Sequence, residues 1–247
     1  RSTMFASSRV YVVIPALNEA EALGGALARI PSWVDRVIVV DNGSTDATAE
    51  VALAGGAELV REPRQGYGRA CLAGIRAAGA ADVLVFMDAD GSDVPEQMER
   101  LVAPIARDGL ELVIGSRARG RRERGALTFP QRFGNVLASR SISWLWGVRF
   151  TDLGPFRAVS RRALERLAMD APTFGWTVQM QIRAASRGLA CAEAPVDYTR
   201  RRGGRSKISG TVRGVYLAGT GILGCIATEW LAERRARRGI ASSVRES

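Results

Sequence analysis

The stretch Val83-Leu84-Val85-Phe86-Met87-Asp88-Ala89-Asp90 decides the fold. It begins with an uninterrupted apolar run, which indicates a strand buried on both faces, as in a parallel sheet. Two carboxylates follow that run at once. Because open α/β sheets bind ligands beyond the carboxyl ends of their strands, Asp88 and Asp90 are candidates for a functional site.

Apolar segments of the same kind recur along the first half of the chain. Residues 10–14 and 37–40 are short, continuous runs rich in Val and Ile, and residues 110–114 predict a further strand. Helical patterns lie between them at residues 22–30, 47–54 and 69–78. Strand and helix therefore alternate, which predicts an α/β fold with a Rossmann-type, mostly parallel sheet flanked by helices.

Start signals precede these helices. Asn18 and Glu21 form an N-x-x-E variant of the capping box before the first helix. Thr45 or Asp46 is expected to cap the second, and a G-x-G stretch precedes the third.

The second half of the chain is less regular. It predicts helices at 133–146, 163–169 and 176–185, strands within 151–160 and 191–199, and a long helix at 211–238. Residues 117–124 and 200–207 are basic and contain glycine, so both are predicted to be loops, the first a mobile one. Neither a repeat nor a low-complexity linker divides the chain, which predicts a single domain over residues 1–247.

Composition narrows the chemistry. The 247 residues are 47% hydrophobic, enough for a sizeable core, and carry a formal net charge of +10. A positive field favours anionic partners such as nucleic acid, phosphorylated molecules or a membrane surface, although an Arg-rich composition alone gives the same charge. The absence of histidine excludes Ser-His-Asp triads and His-ligated zinc. The cysteines lie far apart without a C-x-x-C pair, as expected in a reducing compartment.

The two carboxylates have a spacing that suits a metal. In an extended segment, Asp88 and Asp90 would point to the same side. They would repel each other unless a cation lay between them, and a hard divalent cation, Mg²⁺ or Mn²⁺, takes one or two carboxylates plus substrate phosphates. Ser92 or Asp93 could add a ligand. The alternative is an ordinary strand-end turn, with Asp93 as the cap of the next helix.

Three successive motifs resemble family 2 glycosyltransferases: Ile14-Pro15-Ala16-Leu17-Asn18-Glu19, Val39-Val40-Asp41-Asn42-Gly43-Ser44-Thr45-Asp46 and Met87-Asp88-Ala89-Asp90. Later stretches are similar to the dolichyl- or polyprenyl-phosphate hexose synthase branch: Gly115-Ser116-Arg117, Thr151-Asp152-Leu153-Gly154-Pro155-Phe156-Arg157 and Gly204-Arg205-Ser206-Lys207. The resemblance spans residues 9–210. It implies a GT-A-like fold and a metal-dependent hexosyltransferase of the EC 2.4 type.

On the donor side, the resemblance implies that residues 9–116 bind the nucleotide sugar. Asp41 would accept from a base N–H or a ribose hydroxyl, and the small residues at the helix start suit a phosphate or a sugar hydroxyl. Asp88 and Asp90 would hold the cation that neutralises the leaving diphosphate. The matching positions are Pro15, Ala16, Glu19, Asp41, Gly68, Arg69, Asp88, Ala89 and Asp90.

On the acceptor side, the resemblance implies that residues 117–210 handle phosphate groups. The planar Arg guanidinium can donate two parallel hydrogen bonds to a phosphate, and the Lys ammonium supplies a point charge. Arg117 is also a candidate catalytic residue together with Asp88 and Asp90. A solvated basic loop is the alternative interpretation. The matching positions are Arg117, Arg132, Arg201, Ser206 and Lys207.

Three positions depart from the family pattern. Asn42 stands where a second Asp is common, and Ser92, a poorer ligand, where some members have Gln. Gln179 stands where Glu is common. If that Glu were a general base, the chain would lack it. A phosphate acceptor is already deprotonated near neutral pH and needs little help from a base, so Gln179 favours a phosphate acceptor or a less active enzyme.

The C-terminal segment, residues 211–238, is apolar first and strongly basic at its end. A core helix is one interpretation, and a helix on the membrane surface with a polybasic end is the other. The uncharged part, residues 214–228, is shorter than the roughly 20 residues of a spanning helix. No leader segment is recognised, so we expect a cytoplasmic protein, peripheral on the cytoplasmic face of the membrane.

The resemblance therefore implies inverting transfer of a hexose from GDP-mannose or UDP-glucose to a polyprenyl or dolichyl phosphate. The alternative within this class keeps the donor and uses a soluble sugar or small-molecule acceptor. From another class, the basic loops would suit a nucleic-acid-binding protein. No nucleic-acid-binding motif occurs and aromatic residues are only 6%, so we expect no nucleic-acid partner. A nucleotidyltransferase is disfavoured because its Gly-rich basic loop after the first strand is absent.

Overall fold

The computed structural model describes residues 5, 8–126, 128–203 and 212–243. The predicted acceptor residues Ser206 and Lys207 lie outside these ranges, with the rest of their motif.

A seven-stranded sheet forms the centre of the described structure, in the order β3-β2-β1-β4-β6-β5-β7. Strand β6 runs antiparallel to both of its neighbours, and the other six strands share one direction. This confirms the predicted mostly parallel sheet. The strands are β1 (Val10–Ala16), β2 (Arg36–Asp41), β3 (Glu58–Arg61), β4 (Val83–Phe86), β5 (Leu112–Ser116), β6 (Arg157–Ser160) and β7 (Cys191–Pro195).

Helices flank the sheet and alternate with the strands in the first half, as predicted. In the described ranges the α-helices are α1 (Ala20–Leu27), α2 (Thr48–Ala54), α3 (Tyr67–Ala78), α4 (Glu99–Asp108), α5 (Phe129–Trp146), α6 (Arg161–Leu167), α7 (Trp176–Ser186) and α8 (Val212–Ser243). Across those ranges, none combines the length and hydropathy needed to cross a bilayer.

The continuous apolar strands are buried on both faces. Val12 pairs with Val85, and Val13 pairs with Phe86. The first pair belongs to one hydrophobic cluster and the second to another, and all four side chains are fully buried. Successive residues of a strand point to opposite faces, so each strand contributes to both layers of core. This explains why the sequence shows unbroken apolar runs instead of alternation.

The predicted capping box at Asn18 and Glu21 is wrong. Asn18 has a positive φ of 52°, a left-handed conformation that Asn tolerates better than most residues. Its Oδ1 accepts from the backbone N–H of Thr45 at 2.7 Å. Asn18 therefore fastens the β1–α1 turn to the turn after β2. The predicted cap at Thr45 or Asp46 is also wrong, because the N-cap of α2 is Ala47, without a side-chain cap. Asp46 lies one residue earlier, and its Oδ1 accepts from Thr48 N at 3.0 Å.

Candidate active site

The predicted functional residues follow strands that end at one edge of the sheet. Six strands share a direction, so the segments after β1, β2, β4, β5 and β7 emerge side by side. Ala16 lies beside Asp41 in the sheet register. Topology thus brings the first two sequence motifs together with the carboxylate pair.

The segment after β4 is a turn. The strand ends at Phe86, and a turn follows at residues 89–91, with Gly91 at a φ of 73°. The Asp90 carboxylate accepts from the backbone N–H of Ser92 at 2.9 Å and from its hydroxyl. The expected extended geometry for Asp88 and Asp90 is therefore wrong, because the backbone turns between them.

Asp93 is a third buried carboxylate in this turn. Its Oδ2 accepts from the backbone N–H of Asp88 at 3.0 Å, so it does not cap the following helical turn, whose first residue shows no side-chain cap. Its Oδ1 is buried without a hydrogen-bond partner. Burial raises the pKa of Asp93 to about 7. Burial, followed by the nearby charges of Asp90 and Asp93, raises the pKa of Asp88 well above its usual value.

This crowding of carboxylates fits a divalent cation. A buried carboxylate oxygen without a partner and two raised carboxyl pKa values mark a place that a positive charge would stabilise. Among the described residues, no three Asp, Glu or Cys side chains are arranged to hold an ion by themselves. A site here would therefore combine Asp88 and Asp90 with donor phosphate and water oxygens, as Mg²⁺ and Mn²⁺ sites often do.

Arg201 joins two of the predicted donor-side residues. Its Nη2 lies 3.1 Å from Asp90 Oδ2, and its Nη1 lies 2.9 Å from each carboxylate oxygen of Glu19. Burial lowers the pKa of Arg201, but the two carboxylates outweigh burial and raise it. The structure thus places Arg201 between the ends of β1 and β4.

Arg117 lies close to the carboxylate turn, but its guanidinium group is bound to Asp152. Nε and Nη2 contact the Asp152 carboxylate at 2.9 and 2.7 Å, and the Arg117 backbone N–H donates to it at 2.7 Å. The two side chains are 13% and 2% exposed. The guanidinium also lies over the Tyr198 ring, 5.0 Å from its centroid. Its charge offsets part of the rise that burial causes in the pKa of Asp88. Sequence reasoning gave Asp152 and Tyr198 no role.

The segment after β7 crosses from the basic loop to the carboxylate turn. Tyr198 N donates to Arg121 O at 2.9 Å, and Thr199 N donates to Ser92 O at 2.9 Å. Arg119 in the same loop reaches Glu193 O at 2.8 Å. The contacts of Arg119 and Arg121 hold residues 117–124 against this segment, and the contact of Thr199 holds the segment against the carboxylate turn.

Arg132 lies in the first turns of α5, next to the basic loop. It is exposed and lines a surface depression together with Arg122, Glu123, Arg124 and Gly125. One turn further along α5, Asn135 donates to Thr151 O at 3.1 Å and accepts from Leu153 N at 2.8 Å. Asn135 therefore anchors α5 to the segment that carries Asp152.

The same helix exposes apolar side chains. The rings of Phe129 and Phe133 stack with centroids 6.5 Å apart, and the residues are 79% and 61% exposed. Trp144 is 85% exposed, and Val136 and Leu137 are also exposed. Exposed apolar side chains concentrated on one helix indicate a surface that contacts a partner or a membrane.

Asn42 shapes the donor side. Its Nδ2 donates to Glu62 O and Arg64 O, each at 2.9 Å, and its Oδ1 accepts from Gly66 N at 2.7 Å. An Asp could not make the two donated bonds. Asn42 thus ties the end of β2 to the start of α3, where Gly68 and the predicted Arg69 lie.

Asp41, next to Asn42, is partly exposed at the sheet edge. One carboxylate oxygen accepts from Ser44 N at 2.9 Å, which closes the turn after β2.

Comparison with known proteins identifies the family. The family model for glycosyl transferase family 2 matches residues 11–168. The chain belongs to this family. The match covers every predicted donor-side residue.

Relatives of this glycosyltransferase support the branch that the motifs predicted. It is 35% identical to the undecaprenyl-phosphate mannosyltransferase of Micrococcus luteus, over 83% of this chain and 90% of that protein. It is 40% identical to an uncharacterized glycosyltransferase of Mycobacterium tuberculosis, over 86% of this chain and 95% of the relative. The predicted resemblance to polyprenyl-phosphate sugar synthases is confirmed.

A solved structure confirms the GT-A fold. Glucosyl-3-phosphoglycerate synthase from Mycobacterium tuberculosis, in complex with Mn²⁺, UDP-glucose and phosphoglyceric acid, has a TM-score of 0.70 and 26% identity. The alignment covers 90% of this glycosyltransferase and 81% of that chain.

Proposed function

We propose that this glycosyltransferase moves a hexose, with inversion, from GDP-mannose or UDP-glucose to a polyprenyl phosphate. The observation that carries this proposal is the juxtaposition at one sheet edge of a buried carboxylate turn, Asp88 to Asp93, with Arg117 and Arg201. The basic start of α5, beside its apolar face, adjoins the same region through Asn135.

We place the donor in the half formed by residues 9–116. Pro15, Ala16 and Asp41 line the ends of adjacent parallel strands, where a base and ribose would lie. Gly68 and Arg69 lie in the first turn of α3, and the positive end of the helix dipole suits a phosphate or sugar hydroxyl. The Mn²⁺ and UDP-glucose bound to the structural neighbour support a nucleotide sugar and a divalent cation here.

Asp88 and Asp90 would hold that cation, with Ala89 between them. When bound, the cation would neutralise charge on the leaving nucleoside diphosphate. Arg201, already in contact with Asp90, could also donate hydrogen bonds to phosphate oxygens of the donor. Arg117 adds a positive charge near Asp88, and Asp152 holds the Arg117 guanidinium in one orientation.

On the acceptor side, the half formed by residues 117–210, a phosphate oxygen would attack the anomeric carbon directly as the diphosphate leaves. A phosphate monoester is ionised near neutral pH, so this step needs no general base. The depression lined by Arg122, Arg124 and Arg132 is suited to the acceptor phosphate.

The apolar face of α5 supports a lipid acceptor. Phe129 and Phe133 lie on the same helix start as Arg132, so a basic group and exposed aromatic rings occur side by side. A polyprenyl phosphate carries the matching chemistry, an anionic head and an apolar tail. The name of the Micrococcus luteus relative is consistent with such an acceptor. We accordingly propose a peripheral location on the cytoplasmic face of the membrane.

A soluble phosphorylated acceptor is the second candidate. The structural neighbour was solved in complex with Mn²⁺, UDP-glucose and phosphoglyceric acid. The basic depression beside α5 would also suit a small anionic acceptor.

Transfer assays with radiolabelled donors separate these candidates. Purified enzyme is incubated with Mn²⁺ and one labelled donor, UDP-glucose or GDP-mannose. Each donor is tested with two acceptors, undecaprenyl phosphate in detergent and 3-phosphoglyceric acid. Label in the organic phase supports the lipid acceptor. Label retained only in the aqueous product would overturn it in favour of the soluble acceptor, and transfer to neither would contradict both.

A further inference from the structure

Gln179, the departure from the family pattern on α7, has every hydrogen-bonding position of its amide occupied. Its Oε1 accepts from the backbone N–H groups of Asp170 and Ala171, at 3.1 and 2.9 Å. Its Nε2 donates to Asp170 Oδ1 and to Glu229 Oε1, both at 2.7 Å. A primary amide offers two donated and two accepted bonds, so the group is fully used within the fold.

Arg183, one turn further along α7, completes a cluster with Gln179, Asp170 and Glu229. Its guanidinium contacts the Glu229 carboxylate at 2.8 to 3.1 Å and Asp170 Oδ1 at 2.9 Å. The Arg183 and Glu229 side chains are only 13% and 15% exposed. We call these four residues the Gln179 cluster. It links helix α8, which carries Glu229, to the loop at residues 170–172.

That loop packs directly on the start of α3. Pro172 O accepts from Arg69 N at 3.0 Å. A side chain at Gly68 would place its Cβ 2.0 Å from Ala171 O, and one at Gly66 would lie 2.4 Å from Pro172 O. The backbone of the loop therefore lies directly against the backbone at the start of α3, an approach that only glycine permits. A continuous series of contacts therefore runs from Glu229 through Gln179 and Ala171 to the start of α3.

The chemistry of the Gln179 cluster explains why the residue is Gln. A Glu at position 179 would still accept from the two backbone N–H groups. Its second oxygen would then face the carboxylates of Asp170 and Glu229 at 2.7 Å, with only Arg183 in the cluster to offset three negative charges. Like charges at that distance repel strongly in a partly buried setting. An amide donor is what those two carboxylates require.

We propose that Gln179 and Glu229 are positioning residues that hold the start of α3 in the geometry required by the donor, and that Gln179 does not replace a lost general base. This inference rests on the proposed function, since Gly68 and Arg69 are donor-site residues only by that proposal. Helix α8 would then influence donor binding indirectly, through the contacts of Glu229 with Gln179, without placing a residue of its own at the donor site.

The test compares two truncations on α8. Glu229→Ala removes the link to Gln179, whereas Glu233→Ala, one turn later, removes contacts to Trp146 and Ser186 instead. Calorimetric affinity for UDP and for GDP is measured with Mn²⁺. We expect Glu229→Ala to weaken binding of the preferred nucleotide about tenfold with kcat changed less, because misplaced contacts at a donor loop cost affinity. Glu233→Ala should bind as wild type does.

Conservative variants separate positioning from a general loss of stability. Glu229→Gln keeps an oxygen for Gln179 and should recover most of the affinity, while Gln179→Glu should lose it. Wild-type affinity in both Glu229→Ala and Gln179→Glu would overturn the proposal. So would a gain of activity in Gln179→Glu.

Hydrogen exchange distinguishes failure of this inference from failure of the proposed function. The Arg69 amide, which donates to Pro172 O, should exchange faster in Glu229→Ala than in Glu233→Ala without any ligand. Equal exchange would contradict the coupling. If wild-type protein binds neither nucleotide, the proposed function fails, and the exchange data still decide whether α8 controls the start of α3.

Discussion

Arg201 Nη2 lies 3.1 Å from Asp90 Oδ2, and its Nη1 lies 2.9 Å from both carboxylate oxygens of Glu19. A side-chain cation therefore neutralises a carboxylate that is a candidate metal ligand. The contact also couples the end of β1 to the turn after β4. A divalent cation that uses Asp90 has to share this carboxylate with Arg201 or displace it.

Arg201→Gln should accordingly bind free Mn²⁺ more tightly and the Mn²⁺–nucleotide complex more weakly. The first change should be roughly fivefold, the effect of about 1 kcal/mol for a partly exposed ion pair. The weaker binding of the Mn²⁺–nucleotide complex follows if Arg201 contacts donor phosphates. Paramagnetic resonance of free Mn²⁺ measures the first quantity, and calorimetry measures the second.

Arg202→Gln is the matched control, since it removes the same charge from the neighbouring position, where the backbone N–H of Arg202 donates to Asp90 O and is kept in the variant. Unchanged Mn²⁺ affinity in Arg201→Gln, or an equal gain in Arg202→Gln, would show that the contact with Asp90 does not compete with the metal.

Asn42→Asp should destabilise the protein even though Asp is common at this position in the family. The substitution removes the two donated bonds to Glu62 O and Arg64 O and sets a carboxylate against two carbonyls. We expect a loss of about 2–3 kcal/mol in the free energy of unfolding by urea. Asn18→Asp is the control, because Asn18 contributes an accepting oxygen to Thr45 N, which Asp retains. Equal stability of the two variants would refute the role assigned to Asn42.

Asp152→Asn should cost about 3–5 kcal/mol at pH 7, because it leaves the buried Arg117 guanidinium without its counter-charge. Burial raises the pKa of Asp152, but Arg117 outweighs burial and holds it below the usual value. A depressed folded-state pKa stabilises the protein above the unfolded value, about 3.9, and this contribution is lost as pH falls through the folded value. The stability difference from wild type should therefore shrink below about pH 4.

Urea unfolding at pH 7 and pH 3 measures both effects. Glu165→Gln, in an exposed pair with Arg161, is the control and should change stability by less than about 0.5 kcal/mol. A pH-independent loss in Asp152→Asn would mean that packing, rather than charge, explains its cost.

Replacing Phe129 and Phe133 together with Ser should reduce binding to anionic vesicles. The two exposed rings form the start of the apolar face on α5, and each buries apolar area on contact with lipid. Vesicle sedimentation should show at least a roughly tenfold weaker partition, from the loss of about 1.5–3 kcal/mol per ring at full burial. Leu53→Ser, an exposed apolar residue on α2, should bind as wild type does. Equal binding of all three proteins would exclude α5 as the membrane surface.

The sequence predicted the central strands well because burial on both faces leaves a strong signal. Residues 10–14, 37–40 and 83–87 all fall on β1, β2 and β4 or within one residue of them. Strand β3 (Glu58–Arg61) was missed, because it lies at the sheet edge with no fully buried side chain and its apolar run is only two residues long.

The site was predicted less completely, because its contacts are distant in sequence. The pairing of Arg117 with Asp152 joins residues 35 positions apart, and that of Arg201 with Glu19 joins residues 182 apart. No local pattern encodes either pair. Asn18 shows the same limit on a smaller scale, since a residue type that suits a helix cap serves instead to join two turns. The roles of the predicted site residues themselves stay predictions.

Donor binding tests the central claim most directly. Thermal unfolding is followed with UDP, GDP, UDP-glucose and GDP-mannose, each with Mn²⁺ or with EDTA. We predict that one nucleotide family raises the Tm, by about 5–10 °C at a hundredfold excess over Kd, only when Mn²⁺ is present. Asp90→Asn should abolish the rise. An unchanged Tm with all four ligands, or the same rise in EDTA and in Asp90→Asn, would contradict a metal-dependent nucleotide-sugar site at the carboxylate turn.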